Sequence, residues 1–436
     1  MKSKSLIYKA LVVTTMAAAN LTAHAGAWSL DSCISYATTN NISIRQQKLR
    51  IRQGEQAITE AKDRFLPTVN ASASQTFNFG RGLTASNTYA DRNTSNFGWN
   101  AGLNLPLFQG LAEYRNLKLA KTQLVEYLLE TEAAKENLSL NIISQYLQVL
   151  YCKEVAESAR AQAELSAFQV SRQKALIESG RVAEATLYDL EAVAARDRLR
   201  IVTADNDTQT ALVNLANLLQ LPSPEGFDIL PINEGEPDIP SPDAVYTQAV
   251  LTNFNIRSAR QAIKVADQQI LYAQSGYIPT LSFNAGLGSS YYKISGMEQE
   301  AFGPQMRHNF ATYLGFSLSI PLFDGFSTRN NVRRARIQKT SAQLELDQRS
   351  ADLFKDINLA YYQAAGARQK YLTSGETLDK TRLSFDSTRE RFDLGRATQA
   401  DYEQAKNNLF NTEVDRIQAH YEYILRHRIL MFYMNR

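Results

Sequence analysis

Few side chains in this 436-residue sequence have the types and spacing that chemistry needs. His308, His420 and His427 could ligate a metal, but the last two lie seven residues apart along one helix face, too far to share an ion without other ligands. Cys33 and Cys152 each lack a neighbouring histidine, so neither is supported as an activated nucleophile. They are too few for a disulfide framework; they could pair in an oxidising compartment, and the simpler reading is two buried free thiols on helices. No glycine loop is built to cradle phosphates, and no GxSxG elbow occurs. The expectation is a protein with no catalytic residues, no cofactor and no resident metal.

The elements must therefore carry the function, and the N-terminus says where. Lys2, Lys4 and Lys9 precede the apolar run Ala10 to Ala19, and Ala23-His24-Ala25 has the small-x-small form of a signal-peptidase site. Residues 1–25 are expected to be a signal peptide, with cleavage after Ala27 as a close competitor. Without those three lysines the 47 basic residues balance the 44 acidic ones, and nothing argues for nucleic acid. Past the signal there is no apolar run of 18 or more residues, so any membrane span must be made of strands.

The stretch FGWNAGLNLPLFQG, Phe97 to Gly110, returns as TYLGFSLSIPLFDG, Thr312 to Gly325. In each, large apolar residues alternate with small or polar ones, the period of two that sends one set to each face of a strand. Similar alternation follows Pro67, from Val69 to Phe79, and Pro279, from Leu281 to Gly288. Asn41 to Ser74 lies over Asn253 to Gly286 at an offset of 212 residues, and Ser179-Gly180-Arg181 lies over Leu394-Gly395-Arg396 at 215. The chain is a tandem duplication: a first repeat over 28–221, a proline-rich linker over 222–242 and a second repeat over 243–436. Each repeat holds a helix, a β-hairpin and a long helical hairpin. The hairpin connections, Gly80 to Thr94 and Ser289 to Asn309, read as long polar loops.

Between strands the period changes. From Gln109 to about Ile177 apolar residues recur three to four apart with no proline, a helix of about 100 Å at the usual rise. The chain turns at Gly180, a helix stop, and returns as a shorter helix from about Val182 to Leu219. The helix from Ile44 to Phe65 would supply most of the missing length if stacked end on with that return. The second repeat turns in the same way at Gly395.

Strands of this length and pattern match tilted membrane strands, yet every backbone polar group in lipid must be paired, so a four-stranded sheet has to close with other copies. Two copies would fill the interior with side chains; three would leave a lumen. Taken together, the duplication, the hairpin in each half, the PLF-x-G strand exits at Pro106 to Gly110 and Pro321 to Gly325, and the glycine tips resemble the outer-membrane efflux factor (TolC) family over nearly the whole mature chain. The resemblance implies a mainly α fold with a membrane β part: a long antiparallel α-helical coiled-coil barrel in the periplasm, with four strands per protomer closing a twelve-stranded β-barrel in the outer membrane as a homotrimer. It implies outer-membrane lipid as surroundings. It also implies a periplasmic adaptor and an inner-membrane transporter, of RND or ABC type, as partners docking on the tips Gly180, Arg181, Gly395 and Arg396, for export of drugs, small molecules or proteins. A periplasmic coiled-coil adaptor without a pore is the other reading of the helices.

In the family, acidic rings past the tip glycine close the tunnel. Counted from Gly395, the first ring position falls on Asp401 and the second on Gln404, with Glu403 beside it. Three like charges about a threefold axis would attract cations. An aspartate early in a helix is equally a partner for the helix dipole.

Overall fold

The computed structural model describes residues 27–83, 87–180, 182, 184–232 and 238–434; the expected signal peptide lies outside them. The first half runs α1 (Leu30–Asn40), α2 (Ile42–Asp63), β1 (Thr68–Asn78), β2 (Arg81–Leu83), β3 (Tyr89–Asp91), β4 (Thr94–Gln109), α3 (Ala112–Glu178) and α4 (Ala185–Leu219). The second runs α5 (Pro242–Thr252), α6 (Phe254–Ala273), β5 (Thr280–Ile294), α7 (Phe302–His308), β6 (Ala311–Ser319), α8 (Ser327–Asp393) and α9 (Gln399–Met434). The duplication is thus a repeat of element order. Compact units cut across it. One gathers Gln46–Ala133 with Leu251–Asp352; the other gathers Met1–Arg45, Ala134–Val250 and Leu353–Arg436.

In the strand-bearing unit the two hairpins join into one antiparallel sheet, order β1-β4-β5-β6. Registers place Val69 opposite Leu103, Leu103 opposite Ala285 and Ala285 opposite Leu314, while Asn104 faces Asn284. Because opposed residues share a face, the alternation in all four strands adds into one apolar face and one face of glycine, serine and asparagine. The two PLF-x-G copies diverge here. In the central strand β4, Pro106 pairs with Ser282 and Phe108 with Leu281, leaving Leu107 as the extra residue of a bulge, where a proline without an N–H is tolerated. The second copy falls past the end of β6, the edge strand of the sheet among the described residues.

Both exits then turn identically. Gly110 and Leu111 have φ of 59° and 63°, Gly325 and Phe326 of 63° and 64°. At Gly110 a Cβ would meet the carbonyl oxygens of Ser275 and Ile278 at 2.9 Å, so glycine is required both by φ and by space.

The connections are more ordered than polar loops. β2 and β3 pair within the first, while in the second β5 continues to Ile294 and α7 follows.

The helical unit is built on Tyr146, Ile142, Val149, Leu215 and Leu219, with α1 adding Leu30, Cys33 and Ala37. The short helices α1 and α5 are not delimited by the sequence reading, which places Cys33 on a helix without bounds and begins its first bounded helices at Ile44 and Ile256. Each precedes an asparagine, Asn41 or Asn253, that accepts from the backbone N–H two residues on at 2.9 Å and so starts the next helix. The proline-rich segment is not a free tether over its described part. Phe227 and Ile229 are buried in the core, Ile229 bridges Trp28, and the Tyr146 hydroxyl lies 2.6 Å from the Leu230 carbonyl oxygen. Cys33 and Cys152 are free buried thiols in the same core, and burial pushes Cys33 up to about 12.

Asn41 ties the start of α2 to the end of α4. Its Nδ2 donates to the carbonyl of Leu218, in the last turn of α4, at 2.9 Å, and Ile44 of α2 packs in one cluster with Leu215 and Leu219. Asn41→Ala removes both the cap and this bond and is expected to cost the helical unit about 1–3 kcal/mol, against about 1 kcal/mol for Asn253→Ala, which loses only a cap. Urea unfolding followed by circular dichroism in detergent checks the order.

Candidate functional site

Two places combine exposure with organised chemistry: the sheet and the helical tips. On the sheet's apolar face Val69, Leu314 and Phe316 are 69%, 77% and 72% exposed in one protomer, a face that a water-soluble sheet would bury. Across the other face Ser72 donates to Asn100, and Asn104 Nδ2 donates to Asn284 Oδ1 at 2.6 Å, a polar wall that bonds to itself from strand to strand. Among the described residues the outer edges of β1 and β6 have no partner. Among the described residues no helix is long and apolar enough to cross a membrane.

At the tips both glycines are left-handed, with φ of 70° at Gly180 and at Gly395. The second tip is complete. Arg396 N–H donates to the Arg391 carbonyl at 2.7 Å and Gly395 N–H to that of Phe392 at 3.0 Å, the paired bonds of a Schellman stop, with Arg396 exposed. At the first, Gly180 N–H donates to the Ile177 carbonyl at 2.8 Å, and Arg181 lies outside the described residues.

Beyond Gly395 the three candidate residues separate. Asp401 is exposed and closes a capping box with Thr398: Asp401 N–H donates to Thr398 Oγ1 at 3.1 Å, while the Thr398 N–H and hydroxyl donate to Asp401 Oδ2 at 2.9 and 2.7 Å. The Thr398 hydroxyl above all, then its N–H and the more distant Arg391, hold the carboxyl below its ordinary 3.8. A depressed carboxylate favours the folded tip at all pH above its ordinary value and loses that contribution only as pH falls through the lowered one. The group is therefore charged throughout the neutral range. Gln404 lies on the same exposed face and bonds Asn408 at 2.9 Å. Glu403 is turned elsewhere: its Oε2 lies 2.7 Å from Lys406 Nζ, and Gln399 donates to its Oε1 at 3.1 Å.

Lys406 is the functional-looking residue that sequence reasoning missed. Its side chain is 1% exposed, and it donates to Ser166 Oγ at 2.8 Å and lies 3.4 Å from Asp197 Oδ2, itself 2% exposed. Ser166 also donates to Asp197, and Arg200 pairs with Asp197 Oδ1 at 3.0 Å. Two cations and two carboxylates thus balance where α3, α4 and α9 meet. Removing one partner from such a group leaves an uncompensated buried charge and costs about 3–5 kcal/mol. The visible signal was a charge at a core position in two helices: Asp197 falls in register with buried Leu190, Ala194 and Ala204, and Lys406 four residues after buried Tyr402.

The histidines do not meet. His308 lies beside Glu300 at 2.9 Å, His420 stacks on Tyr371, and His427 is buried; burial lowers the last two. No group of three metal-ligating side chains occurs among the described residues.

The family model described as Outer membrane efflux protein matches residues 33–220 and 245–436. The outer membrane efflux protein BepC of Brucella suis is 21% identical, over 91% of this chain and 83% of its own length, and the outer membrane protein TolC of Escherichia coli is 24% identical over 84% and 74%. Among solved structures the CmeC outer membrane channel of Campylobacter jejuni superposes with a TM-score of 0.75 at 18% identity, covering 93% of this chain and 85% of that one, and CusC with 0.75 at 14%, covering 93% and 91%. Matched through both halves, with the channel fold and a sheet that is apolar on one side, the chain is an outer-membrane protein belonging to the outer membrane efflux protein family.

Proposed function

We propose that this protein is the exit duct of a tripartite efflux pump or type I secretion system, passing drugs, small molecules or proteins to the exterior. The observation that carries this is the sheet: four strands, one continuous apolar face, one wet face and two open edges. In lipid each unpaired N–H and C=O costs several kcal/mol, so β6 of one copy must pair with β1 of the next until the sheet closes. Three copies give twelve strands and a lumen lined by the glycine, serine and asparagine face. A periplasmic adaptor and an RND or ABC transporter would supply the energy, docking at Gly180, Arg181, Gly395 and Arg396. Asp401, with Gln404 on the same face, forms the constriction in this reading; Glu403, held by Lys406, does not reach it.

Single-channel current through the purified trimer in planar bilayers tests the duct. Trivalent cations added at the tip side should block it, since converging carboxylates make an anionic oxygen site. Asp401→Asn should weaken the block at least about tenfold while Glu403→Gln leaves it unchanged; absence of any current would sink the channel, and an unaffected block the constriction. At the tips, Gly180→Val or Gly395→Val forces a branched residue into the left-handed region at a cost of about 1–2 kcal/mol. Either change should abolish export, measured as substrate accumulation in cells, while trimer yield in the outer membrane stays normal.

A further inference from the structure

The segment between β5 and β6 was expected to be a polar loop, and its packing gives it a different role. β5 runs six residues past Gly288, the last residue that β6 pairs. Its free edge is not left open. Gln305 accepts from the Tyr292 N–H at 3.0 Å and donates back to the Tyr292 carbonyl at 3.1 Å. Gln299 accepts from the Ile294 N–H at 3.0 Å, and Asn309 donates to the Ser290 carbonyl at 2.7 Å. Side-chain amides thus stand in for the missing strand, which is how an edge is covered without inviting another chain.

Ring contacts show the side on which the segment lies. Phe97 opposes Tyr291 and Trp99 opposes Ser289, and in register these four share the face of Leu103, Ala285 and Leu314. The Phe302 ring is 5.6 Å from Phe97 and 5.1 Å from Tyr291, and Phe310 is 6.5 Å from Trp99. Ser289 Oγ donates to the Met306 carbonyl at 2.7 Å. The segment therefore packs on the apolar face, away from the serine and asparagine wall. Phe302 and Phe310 nevertheless remain 50% exposed and Met297 57%. Glu300, Arg307 and His308 stand in the same short stretch as these half-covered apolar residues.

We propose that Ser295–Phe310 is an interfacial foot seated on the outer leaflet, with Phe302 and Phe310 in contact with lipid, and that it does not fold over the lumen mouth. The inference rests on the barrel reading, since only there does the apolar face meet lipid, and the foot extends that surface without a break. Aromatic side chains at the end of the apolar band are what a membrane-water interface selects, because the ring takes the acyl boundary while polar neighbours stay wet. A foot of this kind would oppose movement of the barrel along the membrane normal.

The test uses the two tryptophans of the chain. In a Trp28→Phe, Trp99→Phe background, Phe302→Trp and Phe316→Trp are made as separate single reporters, with Phe310→Trp in reserve should Phe302→Trp fail to assemble. Trimers are reconstituted in phosphatidylcholine brominated near the headgroup end of its acyl chains and, in a parallel set, near the middle of the chains, and quenching is compared with that by acrylamide in water. The expected result is loss of about half or more of the Phe302→Trp emission to brominated lipid, with little effect of acrylamide. Strong acrylamide quenching without a lipid effect would place the segment over the lumen, and quenching by neither would place it against the neighbouring protomer; each overturns the foot. Throughout, Phe316→Trp in the middle of β6 reports on the barrel itself. If that residue too escapes brominated lipid, the barrel reading fails and not merely the foot.

Discussion

The structure depends on the accounting of backbone hydrogen bonds at strand edges. A sheet of four strands has two edges, and here both the first and the last strand present theirs. In water an edge can be tolerated; in hydrocarbon it cannot. The chain deals with its edges in two ways. Along the upper part of β5 it spends three amide side chains, Gln299, Gln305 and Asn309, to occupy the free backbone groups. Along the outer edges of β1 and β6 no such cover occurs among the described residues. The contrast separates a sealed edge from an open one.

The parts of the fold legible in the sequence were those governed by period. Alternation from Phe97 to Leu107 and its echo from Tyr313 to Leu322 revealed strands, because a side-chain period of two has no other cheap explanation over that length. Prolines and tip glycines gave the boundaries, for steric reasons that hold in any context. What period cannot reveal is whether a strand has a neighbour. Pro106-Leu107-Phe108 and Pro321-Leu322-Phe323 are identical in sequence, yet only the first is strand, because β5 begins at Thr280, which pairs Gln109 in β4 but Ser319 in β6, so the first copy lies opposite β5 and the second lies past its end. The bounds of eleven-residue helices such as α1, too short for a clear pattern and rich in serine and threonine, were also not legible, and α7 was hidden inside its polar surroundings.

At the tips, the sequence supplied positions by counting but not orientation. Asp401 and Glu403 are two residues apart and thus about 200° around the helix, so one exposed carboxylate implies one turned in. Which of them turns in depends on a third residue, Lys406, three positions after Glu403 and buried against Asp197 and Ser166 of the other repeat. Without the tertiary partner, Lys406 reads as one more solvated lysine.

The capping role of Asp401 is visible in the geometry. Both bonds from Thr398 fall on one oxygen, Oδ2, and they stabilise the ionised form. A residue that caps the helix in this way is also fixed in place and kept charged without help from a partner subunit. The first repeat lacks the device: α4 starts after Glu184 with no side-chain cap, and Gly180 is followed six residues on by Thr186 where the second repeat has Asp401. Both tips turn at a left-handed glycine, and the second carries the threonine and aspartate that make a rigid charge.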